Sequence, residues 1–250
     1  MDASSLKRLG IRILVPSRGR SEVATTQRIL PNWVEFVVPE SQESDYKKAI
    51  DNPLILIPDE INTLGTTRNY ILDNIEEETV IMLDDDILRM YCLTGENTKA
   101  VKDPEEVIQV LVNTAIMAKE AGARVFGFSQ SDIRKYKGHL PFSMCAWVGT
   151  VIGVIGRKYR FLDGRNKVDV DYCLQNLLVE RIVWCDCRYW FSNNKNSLKC
   201  GTSETKTQDS EKADYEFLEK RWGEYIKRAK KGKSNRKLSL NVERKQKLAY

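Results

Sequence analysis

Histidine is almost missing from this 250-residue chain, with His139 the single instance, and no two cysteines stand at the C-x-x-C spacing of a zinc site. The six cysteines (Cys92, Cys145, Cys173, Cys185, Cys187 and Cys200) lie mostly within or beside apolar segments, which reads as reduced, buried thiols. Cys185-Asp186-Cys187 has a second reading as a redox or metal pair, although alternation on a strand would turn both thiols to one face of a core. The opening residues, Met1 to Ser5, lack the apolar stretch of a signal peptide. The longest apolar run, Leu140 to Ile155, is interrupted by Gly149 and Gly153 and falls short of the ~20 residues that a spanning helix needs. No internal repeat is present. These absences set the expectation of a soluble, cytoplasmic protein (host cytoplasm if virus-encoded) with no membrane partner. A hydrophobic content of 42% suffices for one sizeable core, hence a single catalytic-sized domain.

Acidic residues are scarce in one place. From Lys227 to Tyr250 ten Lys and Arg stand against one acid, Glu243, which gives that stretch +9 and leaves −4 on the first 226 residues. A basic tail on a mildly acidic body is the footprint of a polyanion binder, and equally of a solvated, partly disordered tail. Lys230 and Lys231 open its densest part. Arg134-Lys135-Tyr136-Lys137 interleaves basic and aromatic side chains in the way that nucleic-acid contacts require.

What the chain does have is a row of short β-forming runs. Ile11 to Val15 reads as a strand ended by Pro16 and followed by the turn Ser17-Arg18-Gly19-Arg20, with a helix expected from Glu22 onward. Val34 to Val38 and Leu54 to Ile57 are two more strands, stopped by Pro39 and Pro58, with a short helix from Gln42 to Ile50 between them. Thr66 or Thr67 suits the cap of a helix running through Tyr70 to Ile75. Asp103-Pro104-Glu105-Glu106 opens a helix with apolar residues recurring from Val107 to Ala118. Arg124 to Phe128 and Cys145 to Ile155 read as later strands, Val168-Asp169-Val170-Asp171 as the lead into a helix, and Ser210 to Ala229 as a final helix. Strands that alternate with helices indicate an α/β fold with a mixed, mainly parallel sheet flanked by helices.

The most informative feature is Asp84-Asp85-Asp86, at the exit of the apolar run Thr79 to Leu83. In open α/β sheets ligands bind beyond the carboxyl ends of the strands. Adjacent carboxylates repel and are costly to desolvate, so such a cluster either reaches water as a solvated acidic turn or is neutralised by a cation. Oxygen ligands of this kind suit Mg²⁺ or Mn²⁺, with a diphosphate completing the shell.

The strand leading to Ser17-Arg18-Gly19-Arg20, the Gly65 to Asn69 turn and its helix, the Asp84-Asp85-Asp86 triplet and the later Asp169-Val170-Asp171 together resemble a GT-A glycosyltransferase bearing a D-x-D motif. The Pro-Ser-Arg-Gly-Arg turn, the Thr-Arg-Asn helix start and Arg221-Trp222-Gly223 resemble, more narrowly, the DNA-modifying branch associated with base-hydroxylating oxygenases and common in phages. The resemblance spans residues 11 to 226, so the implied organisation is a GT-A domain over 1–226 and a basic tail over 227–250. It makes Asp84 a contact to the nucleotide ribose or metal shell and Asp86 the direct metal ligand, with Asp85 beside them. It sets Pro16, Ser17 and Arg18 at the nucleotide base and ribose, and Arg68 near the diphosphate or uracil. An ordinary salt bridge accounts for any single arginine about as well.

What the resemblance implies is sugar transfer from a UDP-sugar, with Mn²⁺ or Mg²⁺ as cofactor, to a hydroxymethylated pyrimidine such as 5-hydroxymethylcytosine in double-stranded DNA. The base would be flipped out of the stack, and the phosphate and stacking contacts would offset that cost. Acids at the start of an acceptor-side helix act as general base in inverting relatives, so Asp171 is the first candidate and Asp169 the second. The alternative is that Asp169 caps the helix and Asp171 complements its dipole. Many D-x-D enzymes add a C-terminal histidine to the metal shell. The only histidine here, His139, precedes that region and reads instead as a loop residue near the acceptor, with Arg134, Lys135, Lys137, Lys230 and Lys231. Trp190 and Phe191 read as core or as stacking platforms for a base. Other readings are a glycosyltransferase for a glycan, protein or small molecule, a nucleotidyltransferase, or a catalytically silent DNA-binding module on the same fold.

Overall fold

The computed structural model describes residues 1–94, 97–129, 140–164, 167–193, 208–228, 238–240 and 242. In chain order the strands are β1 (Ile11–Pro16), β2 (Glu35–Pro39), β3 (Leu54–Ile57), β4 (Thr79–Leu83), β5 (Ile87–Thr94), β6 (Asn97–Val101), β7 (Val125–Ser129), β8 (Phe142–Ser143), β9 (Val151–Ile155), β10 (Trp184–Asn193), β11 (Ile226–Arg228) and β12 (Leu238–Leu240). The helices are α1 (Ala3–Arg8), α2 (Glu43–Ala49), α3 (Leu64–Asn74), α4 (Pro104–Glu120), α5 (Val168–Val179) and α6 (Gln208–Trp222).

The first four strands lie parallel in the order β3-β2-β1-β4. β9 is antiparallel to both β4 and β7, β10 then runs parallel to β7, and the β5-β6 hairpin closes that side of the sheet. Four parallel strands, one reversed strand and a return to the parallel sense make a GT-A sheet. Every residue of β4 is buried, as a strand covered on both faces must be. Side-chain alternation splits the core in two: Ile13, Val15, Phe36 and Ile81 face α4, while Leu14, Val37, Val80 and Met82 face α3 and α5. A small third cluster joins Val170 and Leu174 of α5 to Leu218 of α6 and Ile226 of β11.

Local signals account for the helix starts. Asp103 accepts from the Glu105 amide at 2.9 Å with Pro104 in the first turn, so α4 begins where the sequence indicates. α3 is capped by Thr63, not by Thr66 or Thr67: Thr63 and Thr66 bond each other's amides as a capping box, and the helix starts a turn early. Other expectations need correction. After β1 the chain forms two 3₁₀ turns, Ser21–Val23 and Thr25–Ile29, in place of an α-helix, because Thr26 is drawn into bonds with the acidic triplet described below. Only Val151–Ile155 of the Cys145 to Ile155 run is strand, and α6 ends at Trp222, where Gly223 takes a φ of +52°. The β5-β6 hairpin and the full length of β10 were not anticipated. Cys185 and Cys187 sit in the core on one face of β10 with their sulfurs 3.9 Å apart, and burial pushes the Cys173 thiol up to about 12. Among the described residues no helix is long and apolar enough to cross a membrane.

Candidate active site at the end of β4

The triplet leaves β4 under tight control from residues far away in sequence. Thr26, fully buried, donates its hydroxyl to the Asp84 carbonyl at 2.7 Å and accepts from the Ile87 amide at 2.9 Å, while its own amide reaches the Asp85 carbonyl at 3.2 Å. One side chain thus pins both ends of the three-residue acidic turn. The Asp84 amide bonds the Thr150 carbonyl at 2.9 Å, which ties the turn to the chain entering β9.

Asp85 faces the turn after β1. Its carboxylate accepts from Ser17 Oγ at 2.6 Å and from Arg20 Nη1 at 2.8 Å. Because the Ser17 hydroxyl proton goes to Asp85, the contact of 2.6 Å between Ser17 Oγ and Tyr46 Oη is a donation from the tyrosine, which in turn accepts from the Arg20 amide at 3.2 Å. This closes a ring of Arg20, Tyr46, Ser17 and Asp85. Burial opposes the charge on Arg20, but Asp85, Asp86 and Asp84 together outweigh it and hold the guanidinium pKa above the ordinary arginine value. Burial likewise raises the Tyr46 hydroxyl, so it stays protonated. Asp86 lies 3.8 Å from Arg20. Arg18 turns away and donates to the Ile61 carbonyl at 2.7 Å, fastening the loop before α3, and Pro16 ends β1 beside Val37.

Arg68 and Asp84 connect this side of the site to its other half. Arg68 is 2% exposed, and its Nη2 stands 3.6 Å from Asp84 Oδ1 and 3.5 Å from the Gly149 carbonyl. Its Nε and Nη1 are buried without a hydrogen-bond partner, an under-paired buried cation of the sort that marks a ligand position. The guanidinium lies over the Phe161 ring, 5.2 Å from its centroid. Segment 161–163 is docked on the start of α3 by a two-way bond between Asn69 and the Phe161 backbone and by Thr63 to Asp163. That docking requires Gly65, where a Cβ would meet the Leu162 carbonyl oxygen at 1.8 Å.

The two helix-start acids have different surroundings. Asp169 packs on the backbone of Gly149, so closely that a Cβ there would stand 2.5 Å from Asp169 Oδ2. Among the described residues Asp169 makes no hydrogen bond or ion pair. Asp84, Arg68, Gly149 and Asp169 therefore form a continuous row across the ends of β4 and β9. Asp171 is fully buried: Oδ1 is 2.8 Å from both Arg221 Nε and Trp222 Nε1, and Oδ2 accepts from Gln175 at 2.6 Å.

The acidic turn fits a divalent cation of the Mg²⁺ type, which takes one or two protein carboxylates and fills its shell with phosphate and water. Asp84 has the most open side chain of the three at 32% exposure, while Asp85 is committed to Ser17 and Arg20. Among the described residues no group of three or more His, Cys, Asp or Glu is arranged to hold a metal. The expected acceptor residues Arg134, Lys135, Lys137, His139, Lys230 and Lys231, with Tyr136, Asn194, Lys195 and most of the basic tail, lie outside the described residues. Phe191 is in the core, and Trp190 stacks on Tyr91 with ring centroids 4.5 Å apart. Sequence reasoning missed Thr26 and Tyr46. Tyr46 carried a signal, as the one aromatic of a short polar helix, whereas nothing local marks Thr26.

A family model described as TET-associated glycosyltransferase matches residues 11–197, three quarters of the sequence and all the residues of the row above. The chain belongs to that family. Among solved structures, this glycosyltransferase resembles Staphylococcus aureus TarS (residues 1–349, in complex with UDP-GlcNAc) at 15% identity and a TM-score of 0.49, over 83% of this chain and 64% of that one. Glucosyl-3-phosphoglycerate synthase from Mycobacterium tuberculosis, in complex with Mn²⁺, UDP and phosphoglyceric acid, matches at 7% identity and a TM-score of 0.35, over 58% and 55% of the two chains. This chain thus spans less than two thirds of either structure. No curated protein sequence matches it.

Proposed function

We propose that this glycosyltransferase moves a sugar from a nucleotide-sugar, UDP-linked, to the hydroxyl of a hydroxymethylated pyrimidine in DNA, with 5-hydroxymethylcytosine the expected base. The observation that carries the reading is the row Asp84, Arg68, Gly149, Asp169, which joins a diphosphate-type position at the end of β4 to a carboxylate on the helix across from it. The acceptor reading is supported by the match to the TET-associated glycosyltransferase family, by the resemblance to the DNA-modifying branch associated with base-hydroxylating oxygenases, and by the +9 charge after residue 226, which suits a phosphate backbone.

In this reading Asp84 and Asp86 hold Mg²⁺ or Mn²⁺, which when bound neutralises charge on the departing diphosphate as a Lewis acid. The open Nε and Nη1 of Arg68 donate to the same diphosphate oxygens, charge-assisted bonds in a water-poor setting. Ser17, Arg20, Tyr46 and Thr26 keep the acidic turn in place, so little reorganisation is needed when the donor arrives. Pro16 and Ser17 border the nucleotide, and Arg18 acts on it through the loop before α3. Asp169 takes the proton from the acceptor hydroxyl as that oxygen attacks the anomeric carbon and the bond to the diphosphate breaks. A carboxylate with no hydrogen-bond or ion-pair partner among the described residues suits that step better than one held by Trp222, Gln175 and Arg221, so Asp169 is placed ahead of Asp171 as the base of an inverting transfer.

The test is UDP release from a panel of UDP-sugars, with Mn²⁺ or EDTA, in the presence of DNA carrying cytosine or 5-hydroxymethylcytosine, alongside Asp86→Ala. Release that requires the metal, Asp86 and the hydroxymethyl group is expected. Release indifferent to the DNA would remove the acceptor, and absence of turnover with every donor would favour a silent binding module.

A further inference from the structure

We propose that Asp171 is a positioning residue through which the end of α6 aligns the base Asp169, making the Arg221-Trp222 pair a latch on the acceptor half of the site. The inference rests on the role given to Asp169 above.

Asp171 is a fully buried carboxylate that accepts hydrogen bonds from Trp222 and Gln175 and pairs at 2.8 Å with the half-exposed guanidinium of Arg221. These contacts fix it in place. Residues two apart on a helix point to nearly opposite sides, so Asp169 turns to Gly149 while Asp171 turns to α6. The first turn of α5 gains from such an anchor, because its cap residue, Lys167, makes no side-chain cap hydrogen bond. Arg221 and Trp222 reach that turn from 50 residues further along the chain and hold it through Asp171. The apolar part of the same contact is small: Val170 and Leu174 against Leu218 and Ile226, with Trp147, Phe217, Trp222 and Val242 around them. Val168, Tyr172, Cys173 and Leu177 seat the other side of α5 on the main core, so on the α6 side this small cluster and the polar contacts of Asp171 set the position of the first turn. Ring stacking adds a second link, since Arg221 lies over the Trp222 ring, 5.0 Å from its centroid, which keeps both donors in one geometry.

The experiment compares the full chain with Asp171→Asn, Arg221→Ala, Arg221→Lys and Asp169→Asn. It reads kcat for transfer to hydroxymethylated DNA, KM for the donor, DNA-independent UDP release, thermal melting, and amide hydrogen exchange over residues 168–171. Asp171→Asn and Arg221→Ala are expected to lower transfer kcat by about 10- to 100-fold, the effect of a misplaced reacting group, with donor KM and DNA-independent release unchanged. Arg221→Lys should recover part of the loss, and exchange over 168–171 should rise in Arg221→Ala. Wild-type kcat in both Asp171→Asn and Arg221→Ala would overturn the proposal. So would transfer, donor release and melting temperature falling together, the mark of a purely structural role, or activity surviving Asp169→Asn but not Asp171→Asn. A wild type that turns over donor but not this DNA refutes the acceptor reading instead. The exchange data still judge the latch, since unaltered protection over 168–171 in Arg221→Ala would overturn it whatever the acceptor.

Discussion

The two sides of the site are built in different ways. On the β1-β4 side four parallel strands carry a polar ring, and Thr26, Ser17, Arg20 and Tyr46 hold the acidic turn from several directions. On the α5 side Asp169 packs on the backbone of Gly149 with no polar partner among the described residues, and its helix is seated on the main core through Val168, Tyr172, Cys173 and Leu177 and held on its other side by a small apolar cluster and the Arg221–Asp171 pair. The first side is pre-set for a ligand of constant chemistry. The second leaves its carboxylate without a polar partner among the described residues, which suits the acceptor half of the proposed reaction.

The sharpest test of this contrast is Asp169→Asn. It should lower transfer by about 10²- to 10⁴-fold, the usual contribution of a general base, while donor binding measured by calorimetry stays at the wild-type value. Equal loss of donor binding would mean that the two sides are not separable. Asp86→Ala acts on the opposite side and should reduce both transfer and DNA-independent donor hydrolysis by about 10²- to 10³-fold, in line with loss of one charge-stabilising group. Hydrolysis that survives while transfer falls would put Asp86 on the acceptor side.

Gly65→Ala sharpens the comparison at the joint between the sides. A methyl group meeting the Leu162 carbonyl must push segment 161–163 off α3, at about 1–3 kcal/mol for overpacking. A drop in melting temperature should be joined by a higher donor KM, because Phe161 no longer sits under Arg68. Tyr46→Phe is milder: it removes a donation to Ser17 and an acceptor for the Arg20 amide, costing about 1–3 kcal/mol, which a denaturant titration can measure. The smallest effect is in alkali. The Tyr46 hydroxyl is raised above its ordinary value of 10.0, so its neutral form stabilises the fold fully below pH 10 and that contribution is lost as the pH climbs past it. Stability plotted against pH should therefore fall less steeply above pH 10 in Tyr46→Phe than in the wild type.

Much of the β1-β4 side was legible because its signals are local. Each strand is a short apolar run stopped by a proline or an acidic turn, and α4 announces itself through Asp103 and Pro104. The hairpin of β5 and β6 was not, because Leu88 and Arg89 are both exposed and break the alternation of β5. The stretch after β1 was misread for a related reason. Thr26 serves bonds to Asp84, Asp85 and Ile87 that are about 60 positions away, and no window of neighbouring residues contains that information.

The amino-acid sequence by itself determined where an acidic turn would stand, at the end of a buried strand in a parallel sheet, because strand periodicity and the strand-end position of ligands are properties of short segments. It also marked Asp169 and Asp171 as the acids of a helix start. Only the tertiary structure separated them. Two residues apart on a helix, they point to opposite sides, and what each side meets, Gly149 for one and Arg221 with Trp222 for the other, is set by the antiparallel placement of β9 beside β4 and the docking of α6 on α5.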